Sequence, residues 1–254
     1  MIEVQRVDAV VTLTLSRTDR RNALDQDTWR ALAQHFTALA QDDSLGAVIL
    51  TGAGGHFSAG ADIAEFTQAR ANADAGRAYE GLVDQAHEAL ARIAAPVLAA
   101  VDGVCFGSGF GLALAADLRV AGTSALFAIP ATRIGLVYGT RETEALLRVG
   151  GLSIAKRLLL TADRLDAAAA HKAGLVDCLT PGSALAEAAA WAGRIVDGAP
   201  LAVRGAKAVL TALATGRADP ALLRQHRDRC LESADYQEAV AAFLAKRKPQ
   251  FRGL

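Results

Sequence analysis

Apolar residues recur along this chain in two rhythms. Near the start, IEVQRV (residues 2–7) and VVTLTLS (10–16) are rich in β-branched residues and flank Asp8-Ala9, which predicts an opening hairpin. From Trp29 the spacing lengthens, with Leu32, Phe36 and Leu39 at helical intervals. AVILTG (47–52) reads as a short buried strand. Tyr79, Leu82, Ala86, Leu90 and Ile93 mark a second helix, and Pro96 lies just past its end. PVLAAV (96–101) is another buried strand. A glycine-rich turn, FGSGFG (106–111), a short helix and the strand LRVAG (118–122) follow it. Further on, Asp166 has the character of an N-cap, AAAAHKA (167–173) of a helix, and Gly174 of its left-handed stop. From about Ser183 the pattern is almost wholly helical and alanine-rich, up to the basic tail KRKPQFRGL (246–254). The class is therefore α/β, with strands and helices alternating over roughly the first 180 residues and a helical end. Periodicity alone does not choose between a doubly wound sheet and other arrangements.

Composition narrows the function classes. The 254 residues suit one or two domains. A hydrophobic share of 52% and a charged share of 21% belong to a globular chain rather than a disordered one. Lys plus Arg equals Asp plus Glu at 27 each, so no global field draws nucleic acid or an acidic membrane. Cys105, Cys178 and Cys230 are far apart, odd in number and form no CxxC. That argues against a disulfide framework or a zinc site and suits a reducing cytoplasm. The five histidines show no ligand spacing, so no metal is implied. MIEVQRVD is charged from its third residue and is no signal peptide. The longest apolar stretch, Gly103 to Ala116, is glycine-rich and too short to cross a bilayer.

The alternating Gly107, Gly109 and Gly111 invite a phosphate-loop reading. A dinucleotide fold needs a helix of normal length after such a turn, then a strand ending in an acid for the ribose. Here the helix has room for about two turns before Asp117. No Asp or Glu occurs between Leu118 and Arg141, and no GK[ST] follows the turn. Close helix–strand packing through small residues is the plain structural reading. A second small-residue turn, HFSAGADI (56–63), also follows a buried strand and opens a helix-like run. Two such corners can aim unpaired backbone N–H groups into one cleft and hold an oxyanion there. Small residues let a reacting carbonyl come close enough.

Four stretches, RRNAL (20–24), HFSAGADI (56–63), AAVDGVCFGSGFGLALAADLRVA (99–121) and LTADRLDAAAAHKAGLVDCL (160–179), together resemble the enoyl-CoA hydratase/isomerase (crotonase) family in its own order. The resemblance implies a crotonase-like spiral of ββα units over residues 1–195, carrying an acyl-CoA site. It implies a helical segment, 196–254, that packs homotrimers or dimers of trimers. A coenzyme A thioester is then the substrate or ligand, and no cofactor is permanently bound. The backbone N–H groups of Ala61 and Ser108 would hold the thioester oxygen. CoA would lie beside Arg21, Ala23 and Leu24, with its adenine near Ala59, Asp62 and Ile63 and the acyl tunnel along Thr67 to Tyr79. Asp62 also reads as a helix cap. His56 and the KRK run, Lys248 included, are candidates for the CoA phosphates, and the run reads equally as a solvated tail.

In that family two glutamates carry out hydration. The positions matching them hold Gly111 and Ala131, and neither residue transfers a proton. Each such group typically contributes about 10²–10⁴-fold, so efficient two-glutamate hydration is not expected. The next segment, IGLVYGTRETEALLR (134–148), is where related isomerases, dehalogenases and decarboxylases place a functional carboxylate or tyrosine. Tyr138 resembles the decarboxylase tyrosine; it also reads as a half-buried aromatic with its hydroxyl at the cleft edge. Glu142 and Glu144 open a helix, where acids belong for dipole reasons alone, so they read first as solvated or capping charges. They are nonetheless the carboxylates nearest along the chain to the missing ones. Arg133 and Arg141 flank them, either for an acidic acyl group or facing solvent. The readings left open are a hydratase or isomerase of fatty acid metabolism with a non-standard acid or base, a non-catalytic acyl-CoA-binding protein, and an acyl-CoA decarboxylase using Tyr138.

Overall fold

The computed structural model describes residues 2–254. Strand β1 (Ile2–Val7) turns back through Asp8, which takes a left-handed φ of 51°, into antiparallel β2 (Val10–Leu15). β2 buries Val11, Leu13 and Leu15 and leaves the residues between them half-buried, the period-two pattern of a strand with one core face. Helix α1 (Gln26–Ala40) starts three residues ahead of Trp29, because the Asp25 carboxylate accepts the Thr28 N–H and caps it. There follow β3 (Ala47–Gly52), the single turn α2 (Phe66–Ala69), α3 (Ala73–Ala91), β4 (Val97–Val101), β5 (Val104–Phe106) and α4 (Ser108–Ala115). Next come β6 (Leu118–Gly122), β7 (Leu126–Ala128), α5 (Thr140–Thr161), β8 (Arg164–Asp166), α6 (Ala167–Lys172) and β9 (Cys178–Thr180). The end is helical: α7 (Ala184–Val196), α8 (Pro200–Ala214), α9 (Pro220–Leu231) and α10 (Ala234–Leu244).

Among the described residues the strands form two sheets. The larger runs β1-β2-β3-β4-β6-β9, parallel except for the opening hairpin; the smaller runs β5-β7-β8. β3 and β4 read as unbroken apolar runs because both their faces are covered. On one face Val48, Leu50, Val97 and Ala99 join Trp29, Leu32 and Phe36 of α1 and Leu90 of α3. On the other, Ala184, Ala188 and Ala192 of α7 meet Ala47, Ile49, Leu98, Ala100 and Val120. Alanine on both sides brings α7 close to the sheet. Small side chains there therefore reflect packing rather than a weak core.

Two expected helices come out differently. The run opened by HFSAGADI is only a 3₁₀ turn, Ile63–Glu65, and the four residues of α2, because Asn72 caps a new helix by accepting the Ala75 N–H. α5 is broken at Gly151, whose φ of 71° and ψ of 173° are not helical. Asp166 caps α6 through the Ala169 N–H, and Gly174, at φ 75°, ends that segment. No helix among the described residues is long and apolar enough to cross a membrane. The spacing of α7 from the sheet is directly testable. Ala188→Leu should destabilise the protein by about 1–3 kcal/mol, read as a lower denaturant midpoint at unchanged slope.

Candidate functional site

The site is assembled from three backbone segments that each need a special residue. Arg21 and Asn22 both take left-handed φ values, 49° and 58°. Buried Asn22 donates through Nδ2 to the carbonyls of Ala53 (2.9 Å) and His56 (2.7 Å), and its own carbonyl accepts the Ser58 hydroxyl (2.7 Å). Leu24 N–H donates to Gly60 (2.8 Å) and Asp62 N–H to Leu24 (2.9 Å). These two bonds straddle Ala61 and turn its N–H away from Leu24. On the far side Ser58 N–H reaches Val104 and Phe106 N–H reaches Ser58, both at 2.9 Å, which stitches the first corner to β5. The two corners then touch. A Cβ placed on Gly60 would stand 2.7 Å from the Phe106 carbonyl oxygen, and one on Gly109 would stand 2.6 Å from Ser58 Cβ. Ser108 opens α4, so its N–H has no acceptor within the helix.

The residues expected to meet CoA divide by exposure. Arg21 is exposed and Ile63 is 60% exposed, Ala59 and Ala61 are half-buried, and Ala23 and Leu24 are buried, so the last two can offer a ligand only backbone. Asp62 caps the 3₁₀ turn by accepting the Ala64 N–H (3.2 Å) and pairs with Arg17 (3.0 Å). His56 Nδ1 accepts the Val104 N–H at 3.1 Å, a structural use. Lys248 pairs with Asp197 at 3.0 Å. Arg141 pairs with Asp84 and Glu88 of α3, and Arg133 donates to the Ala162 carbonyl at 3.3 Å. Among the described residues no group of three or more His, Cys, Asp or Glu stands together as metal ligands.

Glu142 corrects the expectation of a solvated or capping charge. It lies in the first turn of α5 yet is only 5% exposed, whereas Glu144 faces solvent. Its carboxylate fills the space a side chain at residue 111 would take. A Cβ on Gly111 would stand 2.5 Å from Glu142 Oε1, 2.8 Å from its Cγ and 2.7 Å from the Tyr138 hydroxyl. A Cβ on Gly139 would stand 2.5 Å from Oε2. Oε1 is enclosed and has no hydrogen-bond partner of normal geometry. Burial pushes the Glu142 carboxyl up to about 7; the nearby Ser108 hydroxyl and the Arg70 charge pull the other way, and Asp84 adds to the rise. Tyr138 donates its hydroxyl to the Gly107 carbonyl at 2.9 Å. Burial, then the Glu142 charge, push its phenol well above the ordinary range, so it stays protonated and is no base. Ala131 lies half-buried in a 3₁₀ turn, 131–134.

Arg70 was not singled out by sequence reasoning. Its guanidinium stands over the rings of Phe66 (4.7 Å) and Tyr79 (4.8 Å), and its Nε is enclosed without a partner. The available signal was the i,i+4 spacing of Phe66 and Arg70, which puts an aromatic and a cation on one helical face.

In this mixed α/β fold, two glycine-lined corners meet beside a buried carboxylate. The chain belongs to the enoyl-CoA hydratase/isomerase family, whose model matches residues 5–253. It is 35% identical over 255 residues to a Mycobacterium tuberculosis protein named Probable enoyl-CoA hydratase echA6, with 100% of both chains covered. It is 34% identical over 256 residues to the 2,3-dehydroadipyl-CoA hydratase of Escherichia coli K12, covering 98% of each. A solved enoyl-CoA hydratase/carnithine racemase from Magnetospirillum magneticum superposes with a TM-score of 0.94 at 39% identity, over 100% of this chain and 96% of that one.

The fit of Glu142 into the space at Gly111 can be measured by a double-mutant cycle. Gly111→Ala should cost about 1–3 kcal/mol in the native background and distinctly less beside Glu142→Ala, giving a coupling of about 0.5–3 kcal/mol. Additive effects would mean that the carboxylate is not seated there.

Proposed function

We propose that the protein binds acyl-CoA thioesters and moves a proton along the acyl chain, with Glu142 as its one acid–base group. The observation that carries this reading is the enclosed, unpartnered Oε1 of Glu142 in the space that Gly111 leaves open. In this reading the N–H groups of Ala61 and Ser108 donate to the thioester oxygen. Glu142 takes a proton from C2 of a 3-enoyl thioester. The electron pair of that C–H bond flows into the conjugated system, and the carbonyl oxygen becomes an oxyanion between the two N–H groups. The protonated Glu142 then returns the proton at C4, and the double bond ends at C2–C3. No oxidant, water or second base is consumed. Hydration would need another group to activate water, and Ala131 offers none, which favours isomerisation over two-glutamate hydration.

Tyr138 acts here as a positioning residue. Its hydroxyl holds the carbonyl of the same peptide unit whose N–H belongs to Ser108, and so it fixes the plane of an oxyanion donor. This use commits the phenol proton and weakens the decarboxylase reading. Exposed Arg21 and Ile63 fit a CoA moiety lying over the first corner. Exposed Leu210, Leu213, Phe243 and Leu244 on the C-terminal helices fit self-association as trimers or dimers of trimers, and three free thiols fit a reducing cytoplasm. The glycine and alanine at positions 111 and 131 favour a second reading, a protein that holds acyl-CoA without turnover.

Assays with 3-hexenoyl-CoA and crotonyl-CoA separate the two. Isomerisation of the first with little hydration of the second is expected. Glu142→Gln should cut turnover by about 10²–10⁴-fold while leaving affinity for the thioester intact. Because the base must be ionised, kcat/KM should fall as pH drops through about 7. Tight binding with no turnover would select the holding protein, and no affinity for any CoA ester would overturn both.

Stability gives a readout independent of turnover. The raised pKa means that the folded state binds the Glu142 proton more tightly than the unfolded chain does. This group therefore favours folding at low pH, and its contribution is lost as pH rises from 4.5 to about 7. Glu142→Gln should accordingly gain Tm relative to the parent protein between about pH 5 and about pH 8.

A further inference from the structure

Arg70 carries chemistry that the proton shift does not use. Its guanidinium rests on a T-shaped pair of rings, Phe66 and Tyr79, whose centroids are 6.1 Å apart. Ring faces attract a guanidinium but offer its N–H groups no true acceptor. The carboxylates along the neighbouring elements are committed elsewhere. Glu65 accepts the Gln26 N–H at 3.0 Å, and Asp84 and Glu88 hold Arg141. Glu142 lies close enough to feel the Arg70 charge but forms no ion pair with it. The result is a half-buried cation with an enclosed, unpaired Nε donor, beside the carboxylate assigned to proton transfer. Leaving such a donor unpaired is unfavourable, and a bound acceptor removes that cost.

The position of Arg70 points to the acyl end of a ligand. Arg70 follows α2 and touches Tyr79 of α3, on the Glu142 side of the site, whereas the residues suited to CoA lie on the corner from Arg21 to Ile63. A planar guanidinium matches the two oxygens of a carboxylate better than any other common acyl substituent. We propose that Arg70 receives a carboxylate at the far end of the acyl group, so that the site selects thioesters of dicarboxylic acids over plain fatty acyl-CoAs. This rests on the acyl-CoA reading above and names the substrate class for it.

The test uses two thioesters that differ only in that carboxylate, 3-hexenedioyl-CoA and 3-hexenoyl-CoA, with affinity read by calorimetry on the whole protein and kcat/KM read alongside. The parent protein should prefer the dicarboxylic thioester by about 10–100-fold, the range of one charge-assisted contact. Arg70→Met should bring that affinity ratio to near one by weakening the dicarboxylic thioester, and Arg70→Lys should restore part of it. A parent protein without preference overturns the proposal with no mutant needed. Equal losses on both thioesters in Arg70→Met would overturn it too, because they would show that Arg70 only balances the Glu142 charge. Affinity for neither thioester would bring down the acyl-CoA reading and this proposal together, a result distinct from equal binding of both.

Discussion

A carboxylate survives inside a protein only where the surrounding atoms leave it room and something nearby tempers its charge. Glu142 has both conditions met. Gly111 on α4 and Gly139 ahead of α5 clear the volume, and the Arg70 cation and Ser108 hydroxyl limit the rise in its pKa. Any side chain at residue 111 would compete with the carboxylate for the same space. The glycine is therefore the complement of a carboxyl group that reaches it from another helix, and the pair has to be read together.

The same logic of close approach governs the corners that face it. Gly60 closes on the Phe106 carbonyl because it has no Cβ, and Asn22 holds the Ala53 and His56 carbonyls and the Ser58 hydroxyl, which would otherwise be free to move. Tyr138 closes the circuit. It leans against the space at Gly111 and bonds the Gly107 carbonyl, so the groups around the carboxylate and the peptide plane of Ser108 share one brace. A group that hydrogen-bonds to one side of a peptide orients the other side without touching a ligand. The Glu142 carboxylate and the peptide unit of Ser108 thus share Tyr138 as a neighbour.

Much of this frame was legible in the chain. The hairpin around Asp8, the caps at Asp62 and Asp166, the stop at Gly174 and the alanine-rich end all follow from local chemistry, which acts over a few residues. The two small-residue corners were legible as corners, and their order supported the family. What failed was the environment of Glu142. Position in a first helical turn says that an acid is tolerated there, but not which way the helix faces, and only the packing of α5 against α4 buries it. Arg70 escaped for a related reason. A lone arginine after a short apolar helix looks solvated until Tyr79, nine residues on and in another helix, comes to lie beneath it.

The carboxylate that fills the space at Gly111 is held in place by α5 and its neighbours. The first turn of α5 is anchored from below by Ala145 and Leu146 in the core and from the side by Arg141, which reaches Asp84 and Glu88 on α3. The Arg141 pairs are half-exposed and worth little by themselves, so the apolar anchors carry the energy and the ion pairs set direction. α3 also carries Tyr79, on which Arg70 rests. The Glu142 turn and the Arg70 cation are thus both held against one helix, α3.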